Sequence, residues 1–310
     1  MDSAFIVTML ATAVTAGTPI LFAALGETLT EKSGILNLGV EGMMLVGAVS
    51  GFLITVSTQS PWLGVVAAMV AGGFMALIHA FLTITLRANQ VVSGLALTIF
   101  GSGLSGFLGK SLIGVPAPAS FKAFSVPFLA DIPLIGPVFF RQDALVYLSY
   151  ILVFLFAVII YKTRWGLSLT AVGENPAAAD AVGISVYKTR YLYVILGGML
   201  AGLGGAYLSL AYAPSWLENM TAGRGWIAVA LVIFATWNPI KCIVGSYIFG
   251  GVDALGFRIQ TRGFEISPFF LQMLPYICTI VVLILITRET KTRRISAPGA
   301  LGLPYDREER

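Results

Sequence analysis

Nine apolar stretches dominate this sequence and read as membrane spans: 5–26, 35–56, 62–86, 91–109, 144–161, 190–213, 225–238, 240–257 and 268–287. A helix rising about 1.5 Å per residue needs roughly 17–25 such residues to cross about 30 Å of hydrocarbon. The runs are continuous rather than alternating, which predicts helices; a membrane barrel needs period-two segments of about ten residues. Composition agrees. Of 310 residues, 57% are hydrophobic and 11% charged, with a mean hydropathy of +0.88. Soluble domains carry about 25% charged residues, so a water-soluble fold would have nowhere to bury this surplus.

The expected fold is an all-α integral membrane protein, a polytopic bundle of about nine (8–10) transmembrane helices. It forms one domain over 1–290, followed by a polar tail at 291–310. The pair 225–238 and 240–257 is short and broken by "WNPIK", so it is either two tight spans or a re-entrant pair. The first run lacks a basic leader and carries Asp2, so it is expected to stay as a permanent helix. With the N-terminus outside, thirteen of the 19 Lys and Arg residues fall inside, the direction that the positive-inside rule favours. Four spans precede 144–161 and four follow it, which allows an inverted repeat. The Pro-rich segment 110–143 is expected to be stiff and extended on the outer side, lying on the interface or covering the outer mouth. The tail from 288 is expected to be loose.

Several chemistries drop out. A single histidine, His79, and no Cys/His cluster leave no metal site. Cys242 and Cys278 fall in or beside apolar runs and read as reduced core residues. The run "GFLGKS" at 106–111 imitates a phosphate loop, but Leu104 stands where its first glycine belongs. The net charge of +4 is too small to point to nucleic acid.

Polar residues within spans remain, and these are costly in lipid. Asn37 and Glu41 are four apart and share a helix face; Gly34, Gly39 and Gly42 around them suit an unwound or broken start. They either line a pathway or lock two helices together, and Asp253 poses the same choice. Asn89, Ser93 and Thr98 give the fourth span a polar stripe that touches either a hydroxylated ligand or another helix. His79 reads as a satisfied core histidine. Glu27 and Glu31 read as solvated at the inner end of the first hairpin. Arg224 is expected to snorkel at the outer face, with Trp226 and Trp237 as interface anchors. Gly198 and Gly202, like Gly101 and Ser105, are spaced for close helix packing.

One polar segment lies between two spans: "GENPAAADAVGI", 173–184. Asn175 is a good N-cap, Pro176 suits the first helical position, and Gly183 can close the helix in a left-handed conformation. Together with "ALGETLTEKSGILNLGVEGMMLVGAVSG", "ANQVVSGLALTIFGSGLSGFLGK", "AVGENPAAADAVGISVYKTR" and "GRGWIAVALVIFATWNP", it resembles the permease subunits of bacterial ABC importers. The likeness is to the branched-chain amino acid and simple sugar permease superfamily, nearest its nucleoside (simple sugar) branch, and it covers about residues 24–239.

That resemblance implies a second permease subunit, homologous or identical, and separate ABC ATPase subunits that carry the ATP and Mg. This chain itself would then hold no cofactor. An extracytoplasmic substrate-binding protein would deliver nucleosides or simple sugars, moved by alternating access across a bacterial inner membrane. Residues 174–183 would be a cytoplasmic coupling helix, with Glu174, Asn175, Pro176 and Asp180 at or near the ATPase surface and Gly183 at its end. The alternative is an ion-coupled secondary transporter that uses Glu41 and Asp253 as proton or sodium sites.

Overall fold

The computed structural model describes residues 3–261, 268–289 and 297–307. Its first half contains α1 (Ser3–Lys32), α2 (Val40–Thr58), α3 (Pro61–Ala80), α4 (Gln90–Gly109), the short α5 (Ile135–Phe139) and α6 (Ala144–Lys162). Then come α7 (Arg164–Glu174), α8 (Pro176–Ala181), α9 (Val186–Tyr207), α10 (Arg224–Phe234), α11 (Pro239–Thr261) and α12 (Pro268–Glu289). π-helical turns extend α3 over Phe81–Thr85 and α9 over Leu208–Tyr212.

Among the described residues, six helices are long and apolar enough to cross a membrane: Phe5–Lys32, Val40–Thr58, Pro61–Thr85, Gln90–Leu112, Ala144–Lys162 and Val186–Tyr212. The architecture is helical and polytopic as expected, but these are not nine spans. The shortfall is clearest at 225–238, where α10 has only 11 residues. That is about 16 Å of helix, half a bilayer. The region is neither two tight spans nor a short re-entrant pair: α10 is a half-length helix, and α11 runs for 23 residues.

Helices α1 and α9 form the centre. α1 packs along α9 and α11, and α9 packs along α1, α2 and α3. Glycine makes the closest approach possible: Gly202 of α9 lies against the Ala68 carbonyl of α3 and the backbone of Gly47 in α2. A side chain at either glycine would push the backbones apart. The small-residue faces thus serve packing within the chain, where van der Waals fit replaces the absent hydrophobic drive.

Two helices start inside the bundle rather than at its surface. Before α2, Leu38 lies beside α4 and its carbonyl accepts from Thr98 Oγ1 at 2.9 Å. One turn on, Gly42 rests on Gly101, midway along α4. The start of α10 meets α2 at this same level, because Gly225 lies against the backbone of Glu41.

Segment 110–143 is not extended. It holds a 3₁₀ turn at Lys110–Leu112, α5, and a two-residue antiparallel pair of β1 (Phe124–Ser125) with β2 (Arg141–Gln142). An isolated bridge joins Pro116 to Ser215, and Phe121 packs edge-on against Trp62 at 4.9 Å. The described part of the tail is not loose either; 290–296 and 308–310 lie outside the described residues. Residues 297–307 fold back on the opposite face of the bundle. There Ala300 N donates to the Gly173 carbonyl at 2.8 Å, Gly302 N donates to the Gly34 carbonyl at 3.2 Å, and Asp306 pairs with Arg87. Backbone donors of the tail replace water at carbonyls that would otherwise end helices unpaired.

Candidate functional site

Glu41 builds the site. It occupies the first turn of α2 and is buried. Its carboxylate accepts hydrogen bonds from Gly223 N at 2.8 Å, Gly225 N at 2.7 Å and Thr221 Oγ1 at 2.5 Å. The two N–H groups are orphan donors at the start of α10, the positive end of its macrodipole. Positive φ at Asn219, Ala222 and Gly223 turns the chain so that these donors converge. Each side therefore solves the other's problem: a charge in an apolar bundle gains partners, and a helix can begin away from water.

The next residue of α10 faces the other way. Arg224 Nη2 donates to Asp253 Oδ2 at 2.6 Å, and Nη1 donates to the Thr221 carbonyl at 3.2 Å. The guanidinium also lies over the Tyr212 ring, 5.7 Å from its centroid. The ion pair links α10 to α11, and both side chains are largely shielded, at 12% and 28% exposure. Around these groups opens a cavity of about 630 Å³, walled by Thr98 and Ser102 of α4, Asn219, Trp226, Asp253 and Tyr276 of α12.

The structure divides the predicted pathway residues. Glu41, Thr98 and Asp253 reach this cavity. Asn37, Asn89 and Ser93 do not. Asn37 is buried and accepts from Gly39 N at 2.9 Å. Asn89 caps α4, accepting from Val92 N at 3.0 Å, and lines a separate cleft beside the tail. Ser93 lies 2.9 Å from His79 Nδ1, while His79 Nε2 lies 3.1 Å from the Leu36 carbonyl; the imidazole is the satisfied core residue expected.

Four expectations are corrected. Glu27 and Glu31 are 1% exposed, not solvated. Glu27 accepts from Asn37 N at 3.1 Å, and Glu31 accepts from Trp237 Nε1 at 2.5 Å. Trp237 is therefore a buried donor and not an interface anchor, and Trp226 faces the cavity. Arg224 does not snorkel, because its carboxylate partner lies inside. Hydropathy misplaced the arginine and passed over its loop because it puts the start of every apolar run at a membrane surface. Asn219 and Gly223, the residues before Arg224 that best tolerate a left-handed backbone, were the available signal.

At the face that holds the tail, α8 has the caps read from the sequence. Asn175 Oδ1 accepts from Ala178 N at 3.0 Å, Pro176 is the first helical residue, and Gly183 has φ of +88°. Ala179 is buried in a small cluster with Val172 of α7, Val186 of α9 and Tyr305 of the tail. Glu174 accepts from Gly299 N at 3.2 Å, and Asp180 pairs with Arg307 at 2.9 Å. The outward tip is Val182, 76% exposed, which the sequence reading did not select.

A polytopic helical bundle with a polar cavity at a broken helix, and a capped surface helix on one face, defines a membrane permease. The chain belongs to the family described as branched-chain amino acid transport system, permease component, which it matches over residues 9–287. It is a transport component rather than an enzyme. It is 42% identical to TsgC13 of Haloferax volcanii, whose name marks it as a candidate glucose ABC transporter permease protein, over 95% of this chain and 96% of that one. The nucleoside ABC transporter permease protein NupC of Lactococcus lactis is 36% identical, over 93% of each chain. The guanosine ABC transporter permease protein NupQ of Bacillus subtilis is 35% identical, over 94% of each. Lactococcus lactis also holds a more distant match, the nucleoside permease protein NupB, 25% identical over 74% of this chain and 67% of that one. These relatives set aside the ion-coupled alternative. The geometry agrees, since Glu41 and Asp253 already have partners.

Proposed function

We propose that this chain is the transmembrane permease subunit of an ATP-driven importer of nucleosides or simple sugars, working by alternating access in the plasma membrane. One observation carries the reading: α8 is joined to the cavity through a single continuous helix. Val186, at the start of α9, packs with Ala179 of α8. At the far end of the same helix, Tyr212, the last residue of its π-helical turn, lies under Arg224, which lines the cavity. A push on α8 from a soluble partner would therefore reach Arg224 and Asp253 through that helix.

In this reading ATPase subunits dock on α8, ATP and Mg stay with them, and a binding protein delivers solute at the face of segment 110–143. The presence of both NupB and NupC in one organism supports a second, homologous permease as partner. The packing of α1 on α11 and of α3 on α9 supports an inverted repeat, with α1–α4 matched to α9–α12. Residues 174–183 act as the coupling helix. Asp180 is partly occupied by Arg307, so the cleaner probe is Val182→Asp. The expected result is loss of uptake with an unchanged melting temperature and loss of ATPase co-purification. Normal uptake and co-purification by that variant would overturn the assignment.

A further inference from the structure

The cavity contains charges that are already used and polar groups that are not. Both oxygens of Glu41 are bonded to the start of α10, so the Gly223 and Gly225 donors of that helix terminus are already taken by a carboxylate. Arg224 is held by Asp253, by the Thr221 carbonyl and by the face of Tyr212. Three hydrogen-bonding groups in the wall make no side-chain hydrogen bond among the described residues: Asp253 Oδ1, the Asn219 amide and the Ser102 hydroxyl. Beside them stand the rings of Trp226 and Tyr276. Two carboxylates face one guanidinium, so the cavity carries a net negative balance. Its volume of about 630 Å³ lies within the usual range for a small-molecule site, roughly 300–1,000 Å³.

We propose that this cavity is a transit site for an uncharged, hydroxyl-bearing ring solute, and that it rejects phosphorylated forms of the same solute. Asp253 Oδ1 accepts adjacent hydroxyls, while Asn219 and Ser102 complete the polar contacts. Trp226 and Tyr276 cover the ring faces. Arg224 is a positioning residue: it fixes the Asp253 carboxylate so that only one oxygen is left for the solute. Among the described residues of the wall, a phosphate would meet two carboxylates and no cation that is not already paired. The inference rests on the importer reading above and adds the chemistry that the membrane part itself selects.

The test uses the importer complex purified through this chain but freed of its extracytoplasmic binding protein, so that any selectivity belongs to the membrane part. Saturation-transfer NMR with uridine, glucose and uridine 5′-monophosphate is expected to give signal from at least one neutral probe and at least tenfold less from the monophosphate. That signal is expected to disappear in Asp253→Asn and in the charge swap Arg224→Asp with Asp253→Arg, which keeps an ion pair. Asn219→Leu with Ser102→Val leaves the pair intact and should weaken the signal about fivefold, which guards against a swap that fails to fold. Equal binding of the monophosphate, no signal from either neutral probe, or wild-type binding by both the swap and the Asn219/Ser102 variant would each overturn the site. ATP-dependent uptake by the wild-type complex with its binding protein, in proteoliposomes, separates the two failures. If uptake is present, such a result sinks the site alone; if uptake of every probe is absent, the importer reading falls too.

Discussion

Glu41 shows what one carboxylate can do inside an apolar bundle. It satisfies three donors of a helix start 180 residues away and lets that helix begin beside a cavity. Glu41→Gln keeps the shape but loses the charge, and its amide brings N–H groups toward the donors of Gly223 and Gly225. Hydrogen bonds to a charged group contribute about 1.5–3 kcal/mol each, and an unmet buried donor costs about 1–3 kcal/mol. The expected loss is therefore roughly 2 kcal/mol or more, read as a lower unfolding temperature of the detergent-solubilised protein. An unchanged temperature would mean that α10 holds its start without the cap. Trp237→Phe tests the second buried acid in the same currency: it strips Glu31 of its indole donor and should cost about 1–3 kcal/mol. The sequence signalled that Glu41 was special, since a carboxylate between glycines in an apolar run needs a partner. Which partner was hidden, because two of the three donors are backbone N–H groups and leave no mark in residue identity.

Elements were legible where local rules fix them and illegible where contacts across the fold do. The ends of α8 are local: an asparagine cap, a proline at the first position and a glycine at φ of +88° lie within a few residues. Gly183→Ala isolates that rule. No atom lies within 4 Å of where its Cβ would stand, so the cost is backbone alone, about 1–2 kcal/mol. Hydrogen exchange should rise across 179–184 while the bundle melts as before; unchanged exchange would contradict the cap. The half-helix α10 and the docked tail follow no local rule. A hydropathy window cannot tell 11 apolar residues that start at a surface from 11 that start inside. The tail looked loose because its anchors, Gly34, Gly173 and Arg87, lie far away in sequence. Its ion pair with α8 is expected to matter little to stability, since Arg307 is 70% exposed and such pairs contribute about 0–1 kcal/mol. Arg307→Ala should leave the melting temperature within error.

At the scale of the whole molecule, the two faces differ in charge, and this fixes how the bundle should sit. The face of α8 carries Lys32, Arg87, Lys162, Arg164, Lys188, Lys241 and Arg307, whereas the opposite face carries Lys110, Lys122, Arg141 and Arg258. Arg262, Lys291, Arg293, Arg294 and Arg310 belong to the same sequence argument but lie outside the described residues. Lys and Arg are retained on the cytoplasmic side, so α8 and residues 297–307 should face inward and segment 110–143 outward. Single cysteines placed in a background without Cys242 and Cys278 can report this. Phe128→Cys and Leu303→Cys suit the purpose, because these side chains are 89% and 57% exposed on opposite faces and neither lies in a long helix. In intact cells a membrane-impermeant maleimide should label Phe128→Cys and spare Leu303→Cys; after permeabilisation both should react. Labelling of Leu303→Cys in sealed cells would place α8 outside, beyond reach of any ATPase. That would remove the lever while leaving the fold, the Glu41 cap and the cavity as they are.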